Sequence, residues 1–162
     1  MVSVMRILLC LVVAMLVSSA VAADWGHYVN ERFGVESDVP PGFVAGAPPA
    51  NGDGLGFSTP TAHLAVFGSL LAGDFEAGVR QRVQWRGDDG WAVTYQAITP
   101  SWASYSGTKG GRVFYARAIS MCGGGVIGMF ELDYSSADLA AFDPIVDRLV
   151  HSLKDSGAGW QC

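Results

Sequence analysis

The stretch WAVTYQAITPSWASYSGTKGGRVFYARAISMCGGGVIGMFELDY, residues 91–134, decides the fold. Four runs in it are rich in β-branched and aromatic residues, namely 91–99, 102–106, 112–121 and 126–134. Glycine-containing turns at 107–111 and 123–125 join the later runs. Connections this short make consecutive strands antiparallel neighbours. The stretch therefore predicts an antiparallel β-sheet.

Helical patterns lie on both sides of this region. Upstream, a strand pattern at 33–39 and a hairpin pattern around 59–61 precede Asp74, a good N-cap for a helix that runs to about Arg86. Downstream, apolar residues recur at helical spacing from 142 to 153, and Asp143 followed by Pro144 predicts the first turn of that helix. The order of three strands, a helix, four strands and a helix is typical of an α+β domain. No repeat, long linker or charge run divides residues 24–162, so we expect a single domain.

Residues 1–23 have the pattern of a Sec-type signal peptide. Arg6 precedes the apolar run ILLCLVVAMLV at 7–17, and small residues follow up to Ala22 and Ala23, where we expect cleavage. The apolar run is shorter than the roughly 20 residues that span a bilayer, and we expect no transmembrane segment in the mature chain. The sequence therefore predicts a periplasmic or secreted protein.

Composition excludes several classes of protein. Half of the residues are hydrophobic and 15% are charged, whereas disordered chains have few apolar groups and much charge. The formal net charge is −5, which repels phosphate backbones, so we expect no nucleic-acid partner.

Cys122 and Cys162 are the cysteines that remain after removal of residues 1–23. An even pair in an exported protein usually oxidises. We expect a bridge within one chain, worth roughly 4 kcal/mol in the chain-entropy model. The alternatives are that Cys162, the last residue, stays free or pairs with another chain.

Two further patterns carry a family resemblance. YVNERFGV at 28–35 followed by DVPPGF at 38–43 resembles the opening of the PsbP-like superfamily, which includes a photosystem II extrinsic subunit and Mog-type Ran-binding proteins. NGDG at 51–54, SGTKGGRVFY at 106–115 and FDPIV at 142–146 are similar to a group of small exported proteins of alphaproteobacteria. The resemblance implies an α-β-α sandwich around an antiparallel sheet. Its motifs are turns and core positions, and they imply no catalytic residue.

Motifs for catalysis and metal binding are weak in this chain. Ser106 and Lys109 match S-x-x-K, but the companion motifs are absent and the segment is a turn between strands rather than a helix start. The glycine-rich residues 107–112 lack the phosphate-loop pattern. Residues 51–54 supply one carboxylate, too few for a calcium loop, and the three histidines are far apart. We therefore expect no enzyme activity, no cofactor and no metal.

An aromatic and cationic surface is the remaining candidate for function. Its residues lie on two successive strands and their turn: Trp102, Tyr105, Lys109, Arg112, Tyr115 and Arg117. Such residues are enriched where proteins bind each other, which predicts a non-catalytic exported domain that binds a protein or an envelope component. In the simpler interpretation the aromatic residues are core and the cations are solvated. A further alternative is a small-molecule carrier or small periplasmic hydrolase whose site is not visible as a motif.

Overall fold

Ten strands, two α-helices and two short 3₁₀ helices form the part of the protein that the computed structural model describes, residues 24–160 and 162. The predicted signal peptide, residues 1–23, lies outside the described residues. The strands are β1 (Gly26–Val29), β2 (Val35–Val39), β3 (Val44–Ala45), β4 (Gly54–Ser58), β5 (His63–Leu70), β6 (Ala92–Ile98), β7 (Trp102–Lys109), β8 (Arg112–Met121), β9 (Val126–Ser135) and β10 (Lys154–Asp155). The helices are α1 (Phe75–Asp88) and α2 (Leu139–Ser152).

Seven of the strands form one antiparallel sheet in the order β3-β4-β5-β9-β8-β7-β6. A smaller antiparallel sheet has the order β1-β2-β10. Helix α1 covers one face of the large sheet, and the small sheet together with α2 covers part of the other. This arrangement confirms the predicted α+β class, the antiparallel sheet flanked by helices and the single domain. The short strands β1, β3 and β10 are additions to the predicted order.

Strand β9 lies in the middle of the large sheet and is buried on both faces. Phe130 and Leu132 belong to the core on the α2 side, whereas Ile127 and Met129 belong to the core under α1. Alternate side chains of a strand point to opposite faces, so a strand between two cores is apolar at almost every position. The apolar run at the start of β9 follows from this position.

The turn between β7 and β8 consists of Gly110 and Gly111. Their φ angles are +53° and +77°, the left-handed values that a two-residue type I′ hairpin requires at both positions and that glycine adopts without strain. The predicted turn at 107–111 is therefore shorter than expected, since β7 continues to Lys109. Because a two-residue turn fixes the strand register, it pairs Lys109 with Arg112 and Ser104 with Arg117.

Helix α1 begins as the sequence predicts. The carboxylate of Asp74 accepts a hydrogen bond from the backbone N–H of Ala77 at 2.7 Å, which satisfies one of the free donors of the first turn. Phe75 and Val79 are buried against the strands below. In the described part of the chain, neither helix is long and apolar enough to cross a membrane.

Helix α2 begins earlier than the sequence predicts. Its first residue is Leu139, and Pro144 lies inside the helix rather than at its first position. Proline removes the hydrogen bond to the carbonyl four residues earlier. Pro144 and Ala140 are both exposed, so water can satisfy that carbonyl. Phe142 and Leu149 face the core as expected, and the ring of Phe142 stacks on Tyr134 with centroids 4.3 Å apart.

A pair of glycines brings the small sheet close to the large one. Gly68 in β5 is directly opposite Gly128 in β9. The ring of Phe33 lies over Gly68, and Val35 lies over Gly128, where an added Cβ would be 2.9 Å from Cγ2 of Val35. The absence of side chains at these two positions lets the chain around β2 pack directly on the backbone of the large sheet.

The C-terminal segment returns to β2 and ends at a disulfide. Lys154 and Asp155 pair with β2, and the N–H of Ser156 donates to the carbonyl of Gly34 at 2.8 Å. Cys122 and Cys162 are within disulfide-bonding distance in one chain, with Cα atoms 5.2 Å apart. The structure therefore matches the expected intramolecular bridge.

Candidate binding face

The six residues predicted to form one surface lie on two opposite faces of the large sheet. Trp102, Tyr115 and Arg117 point to the side that carries α2, whereas Tyr105 lies under α1. The pairing of Lys109 with Arg112 continues the alternation, which places both on the α1 side. The structure therefore brings three of the six residues together and places the other three on the opposite face.

Tyr105, Lys109 and Arg112 have structural environments. Tyr105 is 0% exposed and meets Phe114 edge to face with ring centroids 5.8 Å apart. The ammonium of Lys109 donates to the carbonyl of Asp89 and so ties the β7–β8 hairpin to the end of α1. Arg112 forms an ion pair with Asp133 and donates to the carbonyl of Thr61 at 3.1 Å. All three side chains make their contacts within the domain. They lie on the face opposite Trp102, because alternate residues of a strand point to opposite faces of the sheet.

Arg117 and Trp102 form a stacked pair on the other face. The guanidinium carbon of Arg117 lies 4.3 Å from the centroid of the Trp102 ring, well inside the range of a cation–π contact. Nη1 of Arg117 also donates to the hydroxyl of Ser104, its cross-strand partner, at 3.0 Å. Trp102 packs against neither of the two hydrophobic cores. The pair is thus held in place from below while its outer side remains accessible.

The strand register arranges the neighbours of this pair in rows. One row contains Ala97, Ser104 and Arg117, which are consecutive cross-strand partners on β6, β7 and β8. The next row contains Tyr95, Ser106 and Tyr115, and Trp102 lies on the other side of the first row. We call this surface the open face, defined by Tyr95, Ala97, Trp102, Ser104, Ser106, Tyr115 and Arg117. Tyr95 is 48% exposed and Ser104 is 2% exposed beneath the guanidinium.

The guanidinium of Arg117 is partly desolvated and incompletely hydrogen-bonded. Burial lowers its pKa, and Coulombic interaction with the phenols of Tyr115 and Tyr95 acts in the opposite direction. Its Nε is buried and has no hydrogen-bond partner. Among the described residues, Arg117 has no carboxylate within ion-pair distance, in contrast to Arg32, Arg86, Arg112 and Arg148. An arginine remains charged in proteins, so the open face presents a fixed cation that has no acidic partner among the described residues.

The surrounding segment contains no acidic residue. Between Trp91 and Phe130 the sequence contains three cations and no Asp or Glu, although the whole chain has 15 acidic and 10 basic residues. Glu131 and Asp133 follow in β9, but they pair with Arg86 and Arg112 on the α1 side. Arg117 is therefore the one charged side chain among the seven residues that define the open face.

A second polar cluster lies on the small sheet. The ring of His27 contacts Asp38 through Nδ1 and Glu36 through Nε2, both at 3.1 Å, while Arg148 pairs with Asp38 and Lys154 pairs with Glu36. Hydrogen bonds to the two carboxylates raise the pKa of His27. The cations already neutralise both carboxylates, and no three His, Cys, Asp or Glu side chains in the described residues are arranged to hold a metal ion. The cluster is an ion-pair network that joins β1, β2, β10 and α2.

The six predicted residues do not include Tyr95 or Ser104, although two features of the sequence pointed to this face. The absence of acidic residues from 91 to 130 is visible in the sequence. Centring the hairpin on Gly110 and Gly111 would also have paired Ser104 with Arg117 and placed Trp102 beside them. The position of Tyr95 could not be predicted in this way, because the pairing of β6 with β7 shifts at an irregularity between Val93 and Tyr95.

Comparison with known proteins gives a fold and no family. No family model matches the sequence, and no curated protein is significantly similar to it. Among solved structures, the yeast (Saccharomyces cerevisiae) Ran-binding protein Mog1p superimposes with a TM-score of 0.61 at 7% identity, covering 83% of this chain and 96% of Mog1p. Cyanobacterial PsbP (CyanoP) from Synechocystis superimposes with a TM-score of 0.60 at 15% identity, covering 85% of this chain and 95% of CyanoP. At these identities the likeness concerns the fold alone, and the chain has the fold that Mog1p and CyanoP share.

Proposed function

We propose that this protein is an exported, non-catalytic interaction module whose partner protein docks on the open face. The observation that carries the proposal is Arg117, a partly buried cation stacked on Trp102 that has an unpaired Nε and no carboxylate in reach. A domain gains no stability from leaving a buried donor unsatisfied. A partner that covers the face would give this cation the acidic group that the described residues do not supply, and arginine and tryptophan are among the residues that most often dominate binding energy at such interfaces.

Two further considerations support an interaction module. A protein partner has a precedent on this fold, because Mog1p is a Ran-binding protein. The described residues that could react, such as Ser106 and Lys109, lie in strand β7 without the companion groups of a catalytic site. The signal-peptide pattern of residues 1–23 supports export to the periplasm or beyond, where the partner would be a protein of the envelope or a secreted protein.

Site-specific photo-crosslinking in cells tests the docking surface. A crosslinking amino acid replaces Tyr95 on the open face, and in the matched control it replaces the exposed Arg80 on α1. We expect the variant at Tyr95 to capture one discrete protein in the exported fraction and the variant at Arg80 not to capture it. Capture at Arg80 alone, or at neither position, would refute docking on the open face.

Export is tested separately by fractionation and intact mass. We expect the mature protein to begin near Ala23 or Asp24 and to be found outside the cytoplasm. A full-length chain that begins at Met1 and stays in the cytoplasm would contradict export without affecting the docking surface.

A further inference from the structure

The open face has the layout of a slot that ends at a cation. The small side chain of Ala97 leads from strand β6 at the edge of the sheet to Arg117, whose guanidinium covers Ser104. Trp102 borders the slot on one side, and the row of Tyr95 and Tyr115 borders it on the other. A segment that lies on this face therefore meets aromatic walls before it reaches the guanidinium.

The chemistry of the cation selects the group that would occupy the slot. Nη1 of Arg117 donates to Ser104 and Nε is buried, whereas Nη2 donates to no group among the described residues and is left for a ligand. An arginine binds a carboxylate with two donors of its planar fork, and a buried charge needs a partner of opposite sign. The absence of Asp and Glu from 91 to 130 leaves this carboxylate to be supplied by another molecule.

The source of the carboxylate follows from the charge and shape of the face. The protein has a net charge of −5, which disfavours polyanions such as nucleic acids through long-range repulsion. Small molecules prefer concave pockets that enclose most of their surface, whereas an aromatic-bordered sheet face next to an edge strand suits an extended polypeptide. A protein segment with an isolated acidic residue carries too little charge to be repelled strongly, and its extended chain fits the shape of this face.

We propose that the open face recognises an extended acidic segment of its partner protein, with one Asp or Glu side chain accepting from Arg117 and the flanking residues packing on Trp102 and Tyr95. The inference rests on the proposed function, because it names the chemistry of the partner that docks there. Within the domain, Ser104 positions the guanidinium, and Trp102 keeps its face desolvated.

Nuclear magnetic resonance of the purified, disulfide-bonded protein tests this inference with defined probes. The probes are two ten-residue peptides rich in Val and Thr, one with a single central Glu and one with Gln at the same position. The side-chain Nε–H signal of Arg117 is identified by its absence in Arg117→Gln. We expect the Glu peptide to shift this signal and the Gln peptide to leave it unchanged, with binding about 30-fold weaker for Arg117→Gln. The control Arg80→Gln on α1 should bind like the wild type.

Several results would overturn the inference. The Gln peptide could give the same shift as the Glu peptide, or neither peptide could shift the signal at millimolar concentration. Acetate or inorganic phosphate could match the Glu peptide in affinity, which would reduce the slot to a site for free anions. If Arg117→Gln folds poorly, Arg117→Lys, which keeps the positive charge, identifies the signal in its place, and the wild-type titration decides these cases.

The crosslinking experiment separates this inference from the proposed function. If a partner is captured at Tyr95 but its crosslinked segment contains no Asp or Glu, docking stands and the acidic segment is refuted. If the captured segment is acidic, we expect Asp→Asn and Glu→Gln changes in it to weaken binding to the wild type and to have little further effect on Arg117→Gln.

Discussion

Substitution of Gly68 by alanine tests how the two sheets pack. Alanine in a strand is normally more stable than glycine by about 0.5–1 kcal/mol, because glycine loses more backbone entropy on folding. Here an added Cβ would lie 2.6 Å from Cγ and 2.8 Å from Cδ2 of Phe33, whereas carbon atoms pack at about 3.5–4.0 Å. Phe33 is 2% exposed, so its ring cannot move into solvent without losing its burial.

The expected loss is about 3 kcal/mol in the free energy of unfolding, the upper part of the range for overpacked cores. For a domain of this size, that corresponds to a decrease in Tm of about 10 °C. Urea unfolding followed by circular dichroism, together with calorimetry, measures both quantities. Combining Gly68→Ala with Phe33→Leu should cost at least about 1 kcal/mol less than the sum of the single changes, because the smaller side chain relieves the clash.

Two glycines elsewhere provide matched controls. Gly73 and Gly87 have no atom within 4 Å of an added Cβ, and neither has a positive φ. Gly73→Ala should be nearly neutral, and Gly87→Ala within α1 should add about 0.5–1 kcal/mol. If Gly68→Ala is as stable as the wild type or more stable, the close approach of Phe33 to the large sheet is refuted.

The disulfide, the His27 cluster and the α1 cap give three further predictions. Without reductant, the intact mass should be about 2 Da below that of the dithiol form, since each bridge releases two hydrogens. The double substitution Cys122→Ser and Cys162→Ser should lower the free energy of unfolding by up to about 4 kcal/mol. An unchanged unfolding curve would show that the bridge does not constrain the chain. The carboxylates of Glu36 and Asp38 raise the folded-state pKa of His27 above its ordinary value of 6.5, so its contribution to stability is fully present below pH 6.5 and is lost as the pH rises through the folded-state pKa. The stability of His27→Gln should therefore vary less with pH above 6.5, and identical pH profiles would contradict this assignment. Asp74→Ala should cost about 1 kcal/mol, measured by urea unfolding, and no loss would show that the cap contributes nothing.

The elements that the sequence predicts well are those whose signal is local. Helix α1 depends on Asp74 and on apolar side chains a few residues away, and the long strands β8 and β9 contain continuous runs of strand-forming residues. The short strands have no local signal of this kind. Lys154 and Asp155 are extended because they pair with β2, more than a hundred residues earlier in the chain. The predicted start of α2 at Asp143 and Pro144 is too late. A proline is tolerated inside this helix because that side of the helix is exposed to solvent, which the sequence does not show.

Only part of the candidate site could be predicted from the sequence, for a similar reason. Residue types on β7 and β8 indicated an interaction surface, but the face on which each side chain lies depends on the strand alternation and on what covers each side of the sheet. Tyr105 and Trp102 are similar in chemistry and three positions apart in one strand, yet one is core under α1 and the other is outside both cores. Whether an aromatic residue packs or binds is decided by tertiary structure.

The two ends of the large sheet differ in a way that limits how copies of this protein can assemble. At one end β3 contributes two residues, Val44 and Ala45, while at the other end β6 contributes seven. Extended chains readily add to long exposed edges, whereas very short edge strands offer little to pair with. Head-to-tail stacking of copies needs two edges that can each pair with a further strand. A strand that pairs with β6 would therefore not start a continuous stack of copies. The two-residue edge strand β3 therefore disfavours open-ended stacking of copies edge to edge.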